Sequence, residues 1–261
     1  MYLTQAAPRD LSPWVECVWS MRVPKEVHWD EVTPADWHGD LVTSLGQPFD
    51  VGSSRVKAAS CWLGPRHAPL RFRHSSGNHL FGVRFQPGGA AAFFGVDART
   101  LLGFEADGAT AGPWRELLDA MTRQVDAGLR QHQGIGRIWH ALRAVGPKRG
   151  ANDRRLLTAL EQHASSFRVA TFAKQLGLSE RTLQRRCLSS FGVRPKLLHR
   201  IQRAQAAQGL LSEGRPGAEV AWQLGFADQA HLCHELRALH GRTPASSRWL
   251  PLVCRLSTSP R

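Results

Sequence analysis

Apolar and polar positions alternate in short bursts through roughly the first hundred residues. Trp14–Val23 is apolar and aromatic, Leu70–His74 (LRFRH) alternates apolar with basic side chains, and Leu80–Phe85 (LFGVRF) is a further short run. Glycine and proline punctuate the intervals, as at Gly64-Pro65 and Pro87-Gly88-Gly89. Bursts of this length bounded by turn residues predict antiparallel strands, hence a mainly β barrel or sandwich. The texture then changes. Trp114, Leu117, Leu118, Met121 and Val125 recur at helical spacing within Trp114–Gly128, and Gly136–Val145 reads the same way. Gly146-Pro147-Lys148-Arg149-Gly150 is a helix stop followed by a linker. Everything beyond it reads as helix and turn until a polar tail. The predicted organisation is two domains: a β-rich one over 1–108 and an all-α one over 151–250. A helical connection over 109–150 joins them, and a tail covers 251–261.

The all-α part repeats itself. Ala173–Pro195 and Ala221–Pro244 both begin Ala-x-Gln-Leu-Gly. Each places a leucine (Leu183, Leu232) nine residues before a glycine (Gly192, Gly241), and a proline three residues after that glycine. The second copy has one extra residue in its turn. Each copy spells helix, turn, helix. Val169, Phe172, Ala173 and Leu176 share one side of a first helix, Gly177 stops it, and Ser179 can cap the next with its hydroxyl. In the second copy Val220, Ala221 and Leu224 form the apolar side, Gly225 is the stop and Asp228 the cap. The small Ala173 and Ala221 let the paired helices approach closely. Pro195–Leu211 between the copies predicts a long helix.

Charge sharpens this picture. The chain of 261 residues has 34 Lys+Arg against 21 Asp+Glu, a formal net charge of +13. Residues 150–261 alone hold 17 cations, 15 of them Arg, against 7 carboxylates. A basic, Arg-rich half points to a polyanionic partner, and the guanidinium fork suits phosphates and guanine edges.

The motifs in this half resemble the AraC/XylS family of transcription regulators over about residues 150–250. Gly225-Phe226-Ala227-Asp228-Gln229-Ala230-His231-Leu232, with Gly241-Arg242-Thr243-Pro244, is similar to the family's second-unit signature. Leu178-Ser179-Glu180-Arg181-Thr182-Leu183-Gln184-Arg185 is similar to that of the first unit. The resemblance implies two recognition helices in successive major-groove segments, about 34 Å apart. It also implies a sequence-specific regulator, not an enzyme, that acts on promoter DNA and with RNA polymerase and needs no cofactor to bind.

Leu183 faces inward in the first recognition helix, so Arg181, Thr182, Gln184 and Arg185 are the candidates for reading bases. In the second helix Leu232 and Leu236 face inward and Gln229, Ala230, His231, Cys233 and His234 are the outward set. His234 stands where many members carry Arg. Arg168, Arg186, Arg194, Arg200 and Arg242 are candidate phosphate contacts, which position without specifying sequence. The plain alternative for any one of these is a solvated helix face. His231, Cys233 and His234 lack the partner motif that a zinc site needs, so no metal is expected.

The stretch Cys61–Arg66 followed by Gly82–Ala90 resembles a cupin-like N-terminal domain found on some of these regulators. Its histidines, His28, His38, His67, His74 and His79, never make the His-x-His plus Glu arrangement of a metal cupin. Trp29, Trp37, His38, Trp62, Arg66 and Arg84 are the candidate lining of an effector pocket for a small molecule or protein partner. The alternative is that the tryptophans are core and the arginines surface. Five cysteines with no framework spacing are read as reduced thiols in a cytoplasmic protein. No basic segment leading into an apolar run opens the chain, and no stretch of about 18 apolar residues exists, so neither signal peptide nor membrane span is expected. A homodimer through the helices of Trp114–Val145 is open, as is packing of those helices on their own barrel. A fused repair enzyme of the related Ada type would need four zinc-binding cysteines ahead of the helices, and only Cys17 and Cys61 stand there. An architectural or partner-binding protein without an effector is the other rival.

Overall fold

The computed structural model describes residues 2–25, 29–45, 47–52, 56–106, 112–124, 131–150, 156, 158–159 and 167–243. The early bursts become β1 (Tyr2–Ala6), β2 (Val15–Arg22), β3 (Trp29–Thr33), β4 (Gly39–Leu45), β5 (Phe49–Val51), β6 (Val56–Ala58), β7 (Ser60–Leu63), β8 (Leu70–His74) and β9 (His79–Phe85). A short helix α1 (Gly89–Phe94), a 3-10 turn (Ala98–Leu101) and β10 (Phe104–Ala106) follow. All pairings between these strands are antiparallel. They build two sheets, one of six strands in the order β1-β2-β9-β4-β7-β10 and one of four in the order β3-β8-β5-β6. Among the described residues neither sheet returns to pair its last strand with its first, so of the expected barrel or sandwich only the mainly β, two-sheet character is seen.

The six-stranded sheet is covered on both faces, which explains why β9 is buried along its whole length. Phe81, Val83 and Phe85 point to a cluster with Leu117, Met121, Ile138 and Leu142, contributed by α2 (Arg115–Gln124) and α3 (Gln131–Val145). Leu80 points the other way, into a cluster shared with Trp19 and Val42 of the same sheet and with Phe49 and Phe72 of the four-stranded sheet. A strand buried on both faces has no polar alternation to show. Gly82 is required on it. A Cβ there would lie 2.2 Å from the Trp19 ring, which lies across the strand. On β8 the alternation is real: Phe72 and His74 are buried, while Arg73 forks outward onto Asp30 at 2.8 and 3.1 Å.

The expected helix over Trp114–Gly128 is present as α2; its continuation, with Val125, lies outside the described residues. The linker is not loose on the β-rich half. Lys148 and Arg149 donate backbone N–H groups to Phe93 and Ala92 of α1 at 2.9 and 3.0 Å, and the Trp14 indole donates to the Arg149 carbonyl at 3.0 Å. Cys61, Cys187 and Cys233 are free thiols. Cys17 is disulfide-bonded, which departs from the all-reduced expectation; spacing along a chain does not reveal which cysteines a fold brings together.

Five helices complete the described chain: α4 (Val169–Gln175), α5 (Glu180–Phe191), α6 (Pro195–Ser212), α7 (Gly217–Gln223) and α8 (Gln229–His240). None of the described helices is long and apolar enough to cross a membrane.

Candidate nucleic-acid interface

The two repeats fold as helix-turn-helix units, α4–α5 and α7–α8, joined by α6. Each turn is made where the sequence places it. Gly177 and Gly225 adopt φ of +66° and +69°, a left-handed conformation that a Cβ disfavours. The Ser179 hydroxyl accepts the Thr182 N–H at 3.2 Å, and Asp228 Oδ1 accepts the His231 N–H at 2.6 Å, so each second helix has its predicted cap. Leu183, Cys187 and Phe191 of α5 join Phe172 and Ala173 in one core. Leu232, Leu236 and Leu239 of α8 join Val220 and Ala221 in a second. The 18-residue α6 serves both, with Leu198 in the first core and Ile201, Ala204 and Ala207 in the second. Its side chains also brace the second unit. Arg200 forks onto Glu235 at 2.9 and 3.0 Å. Arg203 lies 4.1 Å over the Phe226 ring and donates to the Gly225 carbonyl at 3.3 Å. Burial raises the Glu235 carboxyl, but the Arg200 fork overrides it and holds the group below the usual range.

On α5, Arg181, Gln184 and Arg185 are exposed, with Arg186 beside them; Thr182 is half-buried because its hydroxyl takes part in the cap, accepting from Ser179 at 2.9 Å. On α8, Gln229, Ala230 and His234 are exposed. His231 and Cys233 are half-buried. His231 stands edge-on to Phe226 with 5.5 Å between centroids, and its Nδ1 accepts the Ala227 N–H at 3.3 Å, so the ring is committed to the turn. Among the described residues no three His, Cys, Asp or Glu side chains are grouped to hold a metal. Of the five phosphate candidates, Arg168, Arg186 and Arg194 are exposed. Arg200 is bound to Glu235, and Arg242 lies at the junction with the β-rich half.

Two exposed residues escaped the sequence reading. Arg237 lies one turn beyond His234 on the open side of α8, a place helical periodicity could have supplied. Trp222 on α7 is 83% exposed and occupies the repeat position that Lys174 holds in the first unit. The units also differ in charge: residues 167–194 carry six Lys or Arg and one carboxylate, whereas 215–243 carry three of each.

The β-rich half reaches into both units through one tripeptide. Ala35 is part of the second unit's core, and its N–H donates to the Leu239 carbonyl at 2.6 Å. Trp37 is part of the first unit's core, 6.2 Å from the Phe191 ring. Asp36 between them turns back to the sheet. It pairs with Arg84 of β9, accepts from His38 at 2.7 Å and from Gln205 of α6 at 3.3 Å. Arg84 also donates to Asp40 at 2.8 Å and Glu16 at 3.1 Å. Although burial opposes ionisation of Asp36, the adjacent Arg84 guanidinium dominates and keeps its carboxyl well below the ordinary range.

The six candidate pocket residues do not form one lining. Arg84 borders a cavity between the two sheets that the C-terminal helices close with Gln208, His240 and Arg242. His38 and the buried Arg66 belong to the charged cluster around Asp36. Trp62 packs on the opposite face of the large sheet, stacked on Trp114 at 5.2 Å, with its indole N–H on the Leu101 carbonyl. Trp37 lies in the first helical core. Trp29 is on β3; its side chain lies outside the described residues, as does Pro244.

Residues 172–248 match a family model described as a helix-turn-helix domain, and residues 4–107 one described as a domain of unknown function (DUF6597). The chain is 33% identical over 220 residues to the HTH-type transcriptional regulator VirS of Mycobacterium tuberculosis, in strains CDC 1551 / Oshkosh and ATCC 25618 / H37Rv, covering 80% of this chain and 60% of that protein. The chain thus spans about 60% of the length of these curated relatives. Similar solved structures include wild-type ToxT from Vibrio cholerae with unsaturated fatty acid bound, at 12% identity, TM-score 0.46 and coverage of 87% and 92% of the two chains. The AraC-like transcriptional activator CuxR follows at 11% identity, TM-score 0.33 and coverage of 76% and 84%.

Proposed function

We propose that the chain is a member of the AraC/XylS family of helix-turn-helix proteins, a reading supported by the helix-turn-helix match over residues 172–248 and the similarity to VirS, and that it is a sequence-specific transcription regulator that reads two successive major-groove segments of promoter DNA. The observation that carries this reading is the pair of capped helix-turn-helix units held by one helix, with Arg181, Gln184 and Arg185 exposed on one recognition helix and Gln229 and His234 on the other. Arg pairs with guanine edges and Gln with adenine. Arg168, Arg186 and Arg194, exposed around the first unit, hold the backbone phosphates. The unequal charge of the units assigns most of the nonspecific attraction to the first.

The β-rich half, residues 1–108, is a cupin-like control unit, and 151–250 the DNA-binding unit. Control passes through Ala35–Trp37, because a shift of that tripeptide against the sheet moves both helical cores. The protein works in the cytoplasm with RNA polymerase and is not an enzyme. Footprinting of the full-length protein on its own upstream DNA tests this. The expected result is a protected site spanning two major-groove segments, weakened by Arg185→Ala and by Gln229→Ala. Binding indifferent to sequence and to both changes would replace this reading with an architectural one.

A further inference from the structure

The cavity between the two sheets has a volume of about 100 Å³, the size class of apolar cavities of about 150 Å³ that take up a single benzene ring. Its walls are aromatic. Tyr2 and Trp19 stack at 6.1 Å on the large sheet, and Phe49 and Phe72 lie 6.1 Å apart on the small one. The polar groups set into these walls include the carboxylates of Asp40 and Glu31 and the indole N–H of Trp19, which has no hydrogen-bond partner among the described residues. Asp40 is buried in the large sheet; Arg84 takes its Oδ2 at 2.8 Å, and its other oxygen has no hydrogen-bond partner among the described residues. Glu31 meets His74 through one oxygen at 3.4 Å and offers the other. The guanidinium of Arg84 is largely engaged, each of its three nitrogens donating to one of the carboxylates of Glu16, Asp40 and Asp36.

The charge balance points the same way. Around this cluster the carboxylates of Glu16, Asp36 and Asp40 face two guanidiniums, Arg84 and Arg66. Glu31 adds a further carboxylate at the cavity wall. Arg242 and His240 stand at the opposite, helical wall. Arg242 is half-exposed and therefore screened, whereas Asp40 sits in the low-dielectric sheet. A buried carboxylate in excess of its cations is costly, and aromatic faces attract cations.

We propose that this cavity binds a small organic cation, a protonated amine on an apolar or aromatic body, with the ammonium facing Asp40 and the body against the Tyr2–Trp19 and Phe49–Phe72 walls. Binding itself is independent of the regulator reading; its consequence, a push on the neighbouring Pro34–Asp36 segment, rests on that reading.

Calorimetric titration of the full-length protein at pH 7 tests the assignment with three ring compounds of like size: benzylammonium, neutral benzyl alcohol and anionic phenylacetate. Benzylammonium is expected to bind about tenfold more tightly than the alcohol, with no measurable binding of phenylacetate. Asp40→Asn will lower benzylammonium affinity about tenfold. Because Asp40 also supports Arg84, Glu31→Gln at the half-buried cavity wall serves as the second variant and will lower it severalfold. Preference for phenylacetate, equal binding of amine and alcohol, no heat from the amine at millimolar concentration, or amine binding unchanged in both variants would each overturn the proposal. Footprinting without any amine reports on DNA reading separately, so the two readings fail independently.

Discussion

Removing the Trp37 side chain tests whether the β-rich half is built into the DNA-binding half or merely rests on it. Trp37 is 3% exposed, with its ring among Phe172, Leu183, Phe191 and Leu198. A buried aromatic ring of this kind removes about 150–250 Å² from water. At about 25 cal/mol per Å² that is roughly 4–6 kcal/mol, and truncating such a ring to alanine costs about 3–5 kcal/mol. For a chain of this length each kcal/mol moves Tm by about 2–4 °C, so Trp37→Ala should lower it by about 6–20 °C. Scanning calorimetry is the assay. The loss falls on the contact between halves, so unfolding should also split, with the first helix-turn-helix unit melting ahead of the sheets. Trp222→Ala removes the same side chain from a position 83% exposed and should change stability by no more than about 0.5 kcal/mol. A Trp37→Ala protein that melts in one transition within about 2 °C of the parent would refute the reasoning.

Further outcomes follow from the same contacts. Arg186→Ala and Arg194→Ala should each weaken DNA binding evenly across sequences and reduce the slope of log affinity against log salt by about one, read by fluorescence anisotropy. Arg200→Ala should leave that slope unchanged yet lower Tm, because its guanidinium braces Glu235; a changed slope would return Arg200 to the phosphate contacts. His79 is buried against Ser20, with Nε2 2.9 Å from the hydroxyl, and burial lowers its pKa to about 4 from an ordinary 6.5. A depressed histidine contributes stability above its unfolded value and loses it as the folded state must take up the proton. The protein should therefore lose stability between pH 6.5 and about 4, and a His79→Gln variant should show a flatter urea-midpoint profile across that window.

The helical half was legible because its repeat writes local chemistry directly. The stops at Gly177 and Gly225 and the caps at Ser179 and Asp228 each depend on a few neighbouring residues. The β-rich half was legible strand by strand at β2, β8 and β9, but not in its closure, since which strand lies at a sheet edge is set by long-range pairing. Candidate pocket residues were chosen by type, and type does not say which face of a two-sided sheet a side chain occupies. Trp62 and Arg84 sit on strands of the same sheet and point to opposite faces. Asp36 and Ala35 gave no signal at all. A single acid after an alanine, ahead of Trp37, acquires meaning only when the fold brings Arg84, Gln205 and two helical cores around it. Arg237 was within reach, one helical turn past a residue already chosen.

The tripeptide Ala35–Trp37 bears on how interchangeable the two halves are. A regulator whose control half touched its DNA-binding half only through a linker could exchange halves with its kin freely. Here a graft must supply a small residue for one socket, an aromatic ring for the other, and an acid that meets an arginine on the sheet behind. A fragment beginning after the linker would leave both sockets open to water and present the apolar walls around Leu239 and Phe191 as sticky surface. The two halves are thus fitted to each other as lock parts are.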